Sequence, residues 1–147
     1  MEYAGFFRRF AAVIIDSIIL WIPSFFIGGG GSIPGALGFG VFLGLIYKPI
    51  FESSILYGTP GKAIMGIAVV SESSRERINI KAALIRYLFS YISFFVAYIG
   101  YLMQPFTSRR QTLHDMIAET VVIMKEPPDL NYFVVWRDQM KDVLARL

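Results

Sequence analysis

The sequence predicts an all-α membrane protein: a helical hairpin, a third membrane segment that crosses or re-enters, a small cytoplasmic β element and a C-terminal amphipathic helix. Three observations predict it. Apolar residues make up 55% of the chain and charged ones 17%, with a mean hydropathy of +0.55, whereas soluble domains carry roughly 25% charged residues. Aromatic residues reach 16%, which suits side chains anchored at a membrane–water interface. At 147 residues there is room for one core only. The chain divides into a membrane domain over 1–125 and an interfacial helix over 126–147.

The first element is the run 10–27. Arg8 and Arg9 precede it and Asp16 sits inside it. That aspartate, and the long apolar stretches that follow, favour a retained membrane helix over a cleaved leader. Gly28–Gly31, Ser32 and Pro34 break the run, and no charge occurs between Asp16 and Lys48, as a tight hairpin at the far face requires. The second span covers Ile33 to Phe51. Ala36, Gly40 and Gly44 recur at every fourth residue, a ridge that lets another helix approach closely, either within the chain or in a homo-oligomer. Pro49 ends or kinks the span, and Lys48 can snorkel to the interface.

Residues 57–81 are mixed. "YGTPGK" reads as a type II turn with Pro60 second and Gly61 third, "IMGIAVV" as a short strand and "SESSRER" as a solvated loop. Tyr87 to Phe106 carries no charge and is long enough for a third crossing. "TVVIMK" at 120–125 is β-branched and could pair with "GIAVV". Residues 130–147, with Val135, Trp136 and Met140 beside Arg137, Lys141 and Arg146, read as a helix on the membrane surface.

Arg8, Arg9 and the basic 62–86 loop place the N-terminus in the cytoplasm of a multi-pass plasma-membrane protein. Length favours three crossings, which would export Arg109, Arg110 and Lys125. The charges favour a re-entrant 87–106 instead, and that arrangement leaves both strand candidates on one face.

An ionised Asp16 at mid-helix costs about 2.5–3.5 kcal/mol on insertion, so it must be protonated, paired or hydrated. Arg9 lies two turns away, about 10.5 Å along the axis, and its side chain leans towards the helix N-terminus. A direct bridge along the helix is therefore not expected. Partners must come from other segments, and the expectation is a buried cluster of Arg9, Asp16, Glu52, Arg86 and Asp115. Lys62 is expected at lipid headgroups. The cluster either binds a proton or cation or clasps the helices in register.

"RRFAAVIID" at 8–16, "GTPGKAIMGIAVV" at 58–70, "ALIRY" at 83–87 and "RRQTLHDMIAETVVI" at 109–123 together resemble the RDD family of small membrane proteins, over roughly residues 3–125. The family is named for an arginine at the start of its first helix, an aspartate within that helix and a second aspartate. Arg9, Asp16 and Asp115 match them by register. One departure is Glu119, where the family shows glycine, a difference that bears on the local turn. The resemblance implies cation–proton exchange, the activity proposed for some members.

Other chemistry is set aside. "GTPGKA" lacks the upstream glycine and the Ser or Thr after lysine that a phosphate loop needs. Cysteine is absent and His114 is the single histidine, so no zinc site is expected, and no nucleophile elbow surrounds His114–Asp115. The net charge of +3 is too small and scattered for nucleic acid. The expected protein is not an enzyme, has no cofactor or metal, and meets membrane lipids. It transports ions or a small solute around Asp16 or, alternatively, acts as a membrane scaffold or accessory subunit.

Overall fold

A computed structural model describes residues 2–28, 30–95, 102–125 and 132–146. Two long helices dominate it. Helix α1, Phe6–Pro23, continues through a wider π turn at Ser24–Gly28. Gly30 and Gly31 then take positive φ values of 50° and 83°, which reverse the chain cheaply only without a Cβ. Helix α2, Ile33–Ser53, begins with proline in its first turn, where a missing N–H costs nothing. The spans Phe6–Gly28 and Ile33–Ser53 are 23 and 21 residues long, with mean hydropathies of 2.2 and 1.5. At 1.5 Å per residue each covers a hydrocarbon core of about 30 Å. Only 17% of each apolar window is buried in the chain, so these are not core helices of a soluble domain. Their outward faces carry residues such as Phe7, Ile18, Phe26, Leu37 and Phe42.

The small-residue ridge of α2 packs within the chain. Ala36 is buried, a Cβ on Gly40 would lie 3.3 Å from Ser24 Oγ, and one on Gly44 would lie 2.4 Å from the hydroxyl of Tyr87. Tyr87 belongs to helix α4, Ile80–Phe95, so the ridge seats α4 and the end of α1 against α2.

The rest forms a cap at the end where α1 starts and α2 finishes. Helix α3, Pro60–Ile64, leads into strand β1, Ile67–Ser71, and helix α5, Leu113–Ile117, leads into strand β2, Thr120–Met124. The strands pair antiparallel, with Val69 opposite Val122. Tyr3 adds a bridge to Ile123, and Ala4 donates its N–H to Val122 O at 2.9 Å. Both faces of β1 are buried. Ile67 and Val69 meet Ala4, Ala12 and Ala83, while Ala68 and Val70 meet Val121 and Ile123. A strand covered on both sides reads as an unbroken apolar run, which is why "IAVV" and "TVVI" show no alternation.

The strand pairing expected from the sequence is therefore present. The described flanks of the expected third membrane segment are both held at one end of the molecule. Arg86 and Gln104 both lie at the cap end, where Gln104 Nε2 donates to Ala4 O at 3.0 Å. The middle of the segment, 96–101, lies outside the described residues, as does the start of the C-terminal tail at 126–131. The type II turn expected at Pro60–Gly61 is corrected to a helix start. Thr59 caps α3, accepting from Lys62 N, and Pro60 opens its first turn, a combination that favours helix over turn. The tail forms helix α6, Tyr132–Ala145. Its Trp136 is buried against Leu56 and Ala63, stacks on Phe51 at 5.7 Å and donates to Gly58 O at 3.0 Å.

Glu119, where the resembled family carries glycine, has a φ of 52°. It follows the end of α5 in the left-handed conformation that commonly closes helices and favours glycine. A side chain there costs about 1 kcal/mol. Glu119→Gly should accordingly raise the unfolding free energy by about 1 kcal/mol, read as a higher melting temperature in detergent micelles.

Candidate functional site

Each of five helices sends one charged side chain to a single point beneath the cap. Arg9 of α1 pairs with Asp115 of α5, and its guanidinium also donates to Arg110 O at 3.0 Å and Thr112 Oγ1 at 3.3 Å. Asp115 is fully buried. Its Oδ2 also accepts the Thr112 N–H at 3.1 Å, the carboxylate half of a capping box that starts α5. Its Oδ1 accepts from Arg86 Nη2 at 2.7 Å and Nε at 3.1 Å. Arg86, 4% exposed, turns its remaining terminal nitrogen to Glu52 Oε2 at 2.8 Å, and Glu52 Oε1 pairs with Lys62 of α3. The result is a linear chain of ion pairs, Arg9–Asp115–Arg86–Glu52–Lys62.

Asp16 stands beside this chain without joining it. Its carboxylate accepts from the Tyr47 hydroxyl at 3.0 Å, the Thr59 hydroxyl at 2.5 Å and the Gly61 N–H at 2.9 Å. Gly61 is required by closeness, because a Cβ there would lie 2.4 Å from Ala12 O and 2.7 Å from Asp16 Oδ1. All three donors are neutral. The aspartate is satisfied by hydrogen bonds, and no cation makes a salt bridge to it among the described residues.

Burial alone would raise the Asp115 carboxyl, but the Arg9 and Arg86 guanidiniums overcome it and hold the group well below the usual carboxylate range. Burial lowers the Lys62 ammonium to about 8, with Glu52 pulling the other way. His114, next to Asp115, touches Thr112 Oγ1 through Nε2 at 3.0 Å, and burial depresses it to about 3, against the pull of Asp115. It is a neutral imidazole at physiological pH.

A cavity of about 520 Å³ opens onto these groups. Asp16, Glu52, Lys62 and Arg86 line its polar end, and Phe6, Phe10, Val13 and Leu102 line its apolar walls. Such a volume suits a small solute or a lipid headgroup.

Of the five residues expected to cluster, Arg9, Glu52, Arg86 and Asp115 meet directly, and Asp16 lies apart on its own donors. Lys62, expected at lipid headgroups, turns its ammonium onto Glu52 instead, because α3 stands against α1 rather than facing outward. Arg9 and Asp16 do not bridge, in keeping with the helix geometry. Sequence reading missed Tyr47, Thr59, Gly61 and Thr112. The Thr-Pro pair at 59–60 was the signal for two of these contacts, those of Thr59 and Gly61, since it marks a capped helix start, and Thr112 three residues before Asp115 was the signal for the capping box. Nothing local marked Tyr47.

Comparison with known proteins gives a match to the RDD family over residues 3–119. The Bacillus subtilis (strain 168) protein YxaI is 30% identical over 149 aligned positions, spanning 83% of this chain and 97% of that one. The membrane protein YteJ of the same strain is 27% identical, spanning 82% of this chain and 80% of its own. A proline-rich antigen homolog from Mycobacterium tuberculosis (strain ATCC 25618 / H37Rv) is 27% identical over 54% of this chain and 33% of its own. No solved structure matches.

The depressed His114 and Asp115 set the sign of an acid response. Below its ordinary value of 6.5 the unfolded chain protonates His114, whereas the folded chain resists down to about 3. Asp115 acts in the same direction below 3.8. The stability contributed by these two groups should be full above pH 6.5 and fall continuously towards pH 3. His114→Gln should flatten the upper part of that decline, measured as melting temperature against pH in micelles.

Proposed function

We propose, because the chain belongs to the RDD family of membrane proteins, that it passes a proton, a cation or a small solute across the plasma membrane at a site built around Asp16. The observation that carries this reading is the different company kept by the three buried carboxylates. Glu52 and Asp115 are tied into ion pairs, whereas Asp16 faces the cavity on neutral donors. A proton or cation can exchange at Asp16 without breaking a salt bridge. Lys62, lowered to about 8 and lining the same cavity, is a second group able to exchange a proton near neutral pH.

The topology in this reading has both long helices crossing and the N-terminus in the cytoplasm. Arg8, Arg9, Arg86, Arg109, Arg110 and Lys125 all belong to the cap end, and the opposite turn at Gly30–Gly31 carries no charge. That asymmetry follows the positive-inside rule, and the export of Arg109 and Arg110 that three crossings would demand disappears. Two spans enclose little, so a continuous pathway calls for several copies of the chain.

A second reading has an observation of its own. One charge from each of five helices closes into a single chain of pairs, which is what a scaffold or accessory subunit needs to hold a cap on a helical hairpin.

Liposomes carrying the purified protein separate the two. Transport predicts proton-coupled alkali-cation flux in the wild type and a loss of at least about tenfold in Asp16→Asn, the scale of one decisive interaction, with the melting temperature retained. Absence of flux from folded, inserted wild-type protein would discard the transport reading and leave the scaffold.

A further inference from the structure

Among the described residues, charge counting around the cavity leaves one cation over. Arg9, Lys48, Lys62 and Arg86 line it, and the carboxylates beside them are Asp16, Glu52 and Asp115. Four positive groups therefore face three negative ones in a site where His114 is neutral. The ion-pair chain uses Arg9, Arg86 and Lys62. The remaining ammonium, Lys48, has no carboxylate within salt-bridge distance among the described residues. It lies 5.9 Å from the centre of the Tyr87 ring. Instead of snorkelling outward from α2, Lys48 faces the cavity.

The cavity joins that cation to the outer apolar surface. Phe6 and Phe10 stack at 6.0 Å with planes 8° apart and form one wall with Val13. Phe10 and Leu102 are each more than half exposed, so the wall runs outward to where acyl chains would lie against α1. A ligand matched to this shape carries one net negative charge at its polar end and hydrocarbon at the other.

We infer that the cavity binds the headgroup of an anionic phospholipid from the surrounding leaflet, its phosphate against Lys48 and its acyl chains leaving past Phe10 and Leu102. Lysine serves phosphate as a point charge, and a basic pocket between membrane helices at their cytoplasmic ends is suited to such headgroups. The single surplus cation selects phosphatidylglycerol over zwitterionic phosphatidylcholine, whose own ammonium cancels the charge being matched. This site lies beside the proposed exchange site at Asp16 and stands or falls on binding, whatever the flux measurements give.

The test is native mass spectrometry of full-length protein released from bilayers of phosphatidylcholine mixed with phosphatidylglycerol. Wild-type protein should retain phosphatidylglycerol in preference to phosphatidylcholine. Lys48→Gln should reduce that retention about fivefold, the scale of one cation near a membrane surface, and Lys48→Arg should keep it. Lys141→Gln, on the exposed side of α6, should leave it unchanged. Soluble glycerol phosphate should not displace the lipid. Equal retention by wild type and Lys48→Gln, no preference for phosphatidylglycerol, or displacement by glycerol phosphate would each overturn the proposal.

Discussion

A guanidinium buried to 4% exposure is the constraint from which the rest of this structure follows. Removing such a charge from water costs several kcal/mol even after relaxation, and Arg86 recovers stability only by donating to Asp115 and Glu52 together. Those carboxylates come from α5 and α2, which are 63 residues apart in sequence. Each is itself too deeply placed to stand alone, so Asp115 draws in Arg9 and Glu52 draws in Lys62. The chain of pairs grows until both ends reach side chains with some exposure, 12% for Arg9 and 13% for Lys62. Five helices are thereby fixed relative to one another without a large apolar core between them.

That arrangement explains how a lipid-facing hairpin and a small β cap become one body. The hairpin presents most of its apolar surface outward and has little with which to grip a cap. The sheet offers ten strand residues and two small apolar clusters. Charge pairing and close backbone contact do the joining, the latter at Gly61 against α1 and at Gly44 against Tyr87. Burial of Trp136 beside Phe51 and Ala63 adds α6 from outside, so the C-terminal helix supports the same α2–α3 corner that carries Glu52 and Lys62.

Much of this was legible in the sequence, and the reasons are physical. Long apolar runs mark the two helices of the hairpin, and the β-branched runs at 67–71 and 120–124 have little choice but to pair. Arg9, Glu52, Arg86 and Asp115 stood out because charges flanking apolar segments need partners. The fate of Asp16 was less legible, because its partners are a hydroxyl from α2 and the start of a five-residue helix, groups with no charge to announce them. The course after Arg86 was less legible, because length measures what a segment can span and not where its ends are held. Strand pairing and the Gln104 contact with Ala4 hold them. Glu119 shows the opposite case: a single departure from a resembled family drew notice to a local turn, and the residue there is left-handed.

The most direct measurement is a double-mutant cycle between Arg86 and Asp115, with Arg86→Met, Asp115→Asn and the combined variant unfolded in micelles. If these charges carry the joint between hairpin and cap, each single change is severe, the pair together costs much less than the sum, and the coupling is at least about 2 kcal/mol. Additive effects within about 0.5 kcal/mol would contradict the account and leave the assembly to apolar packing alone.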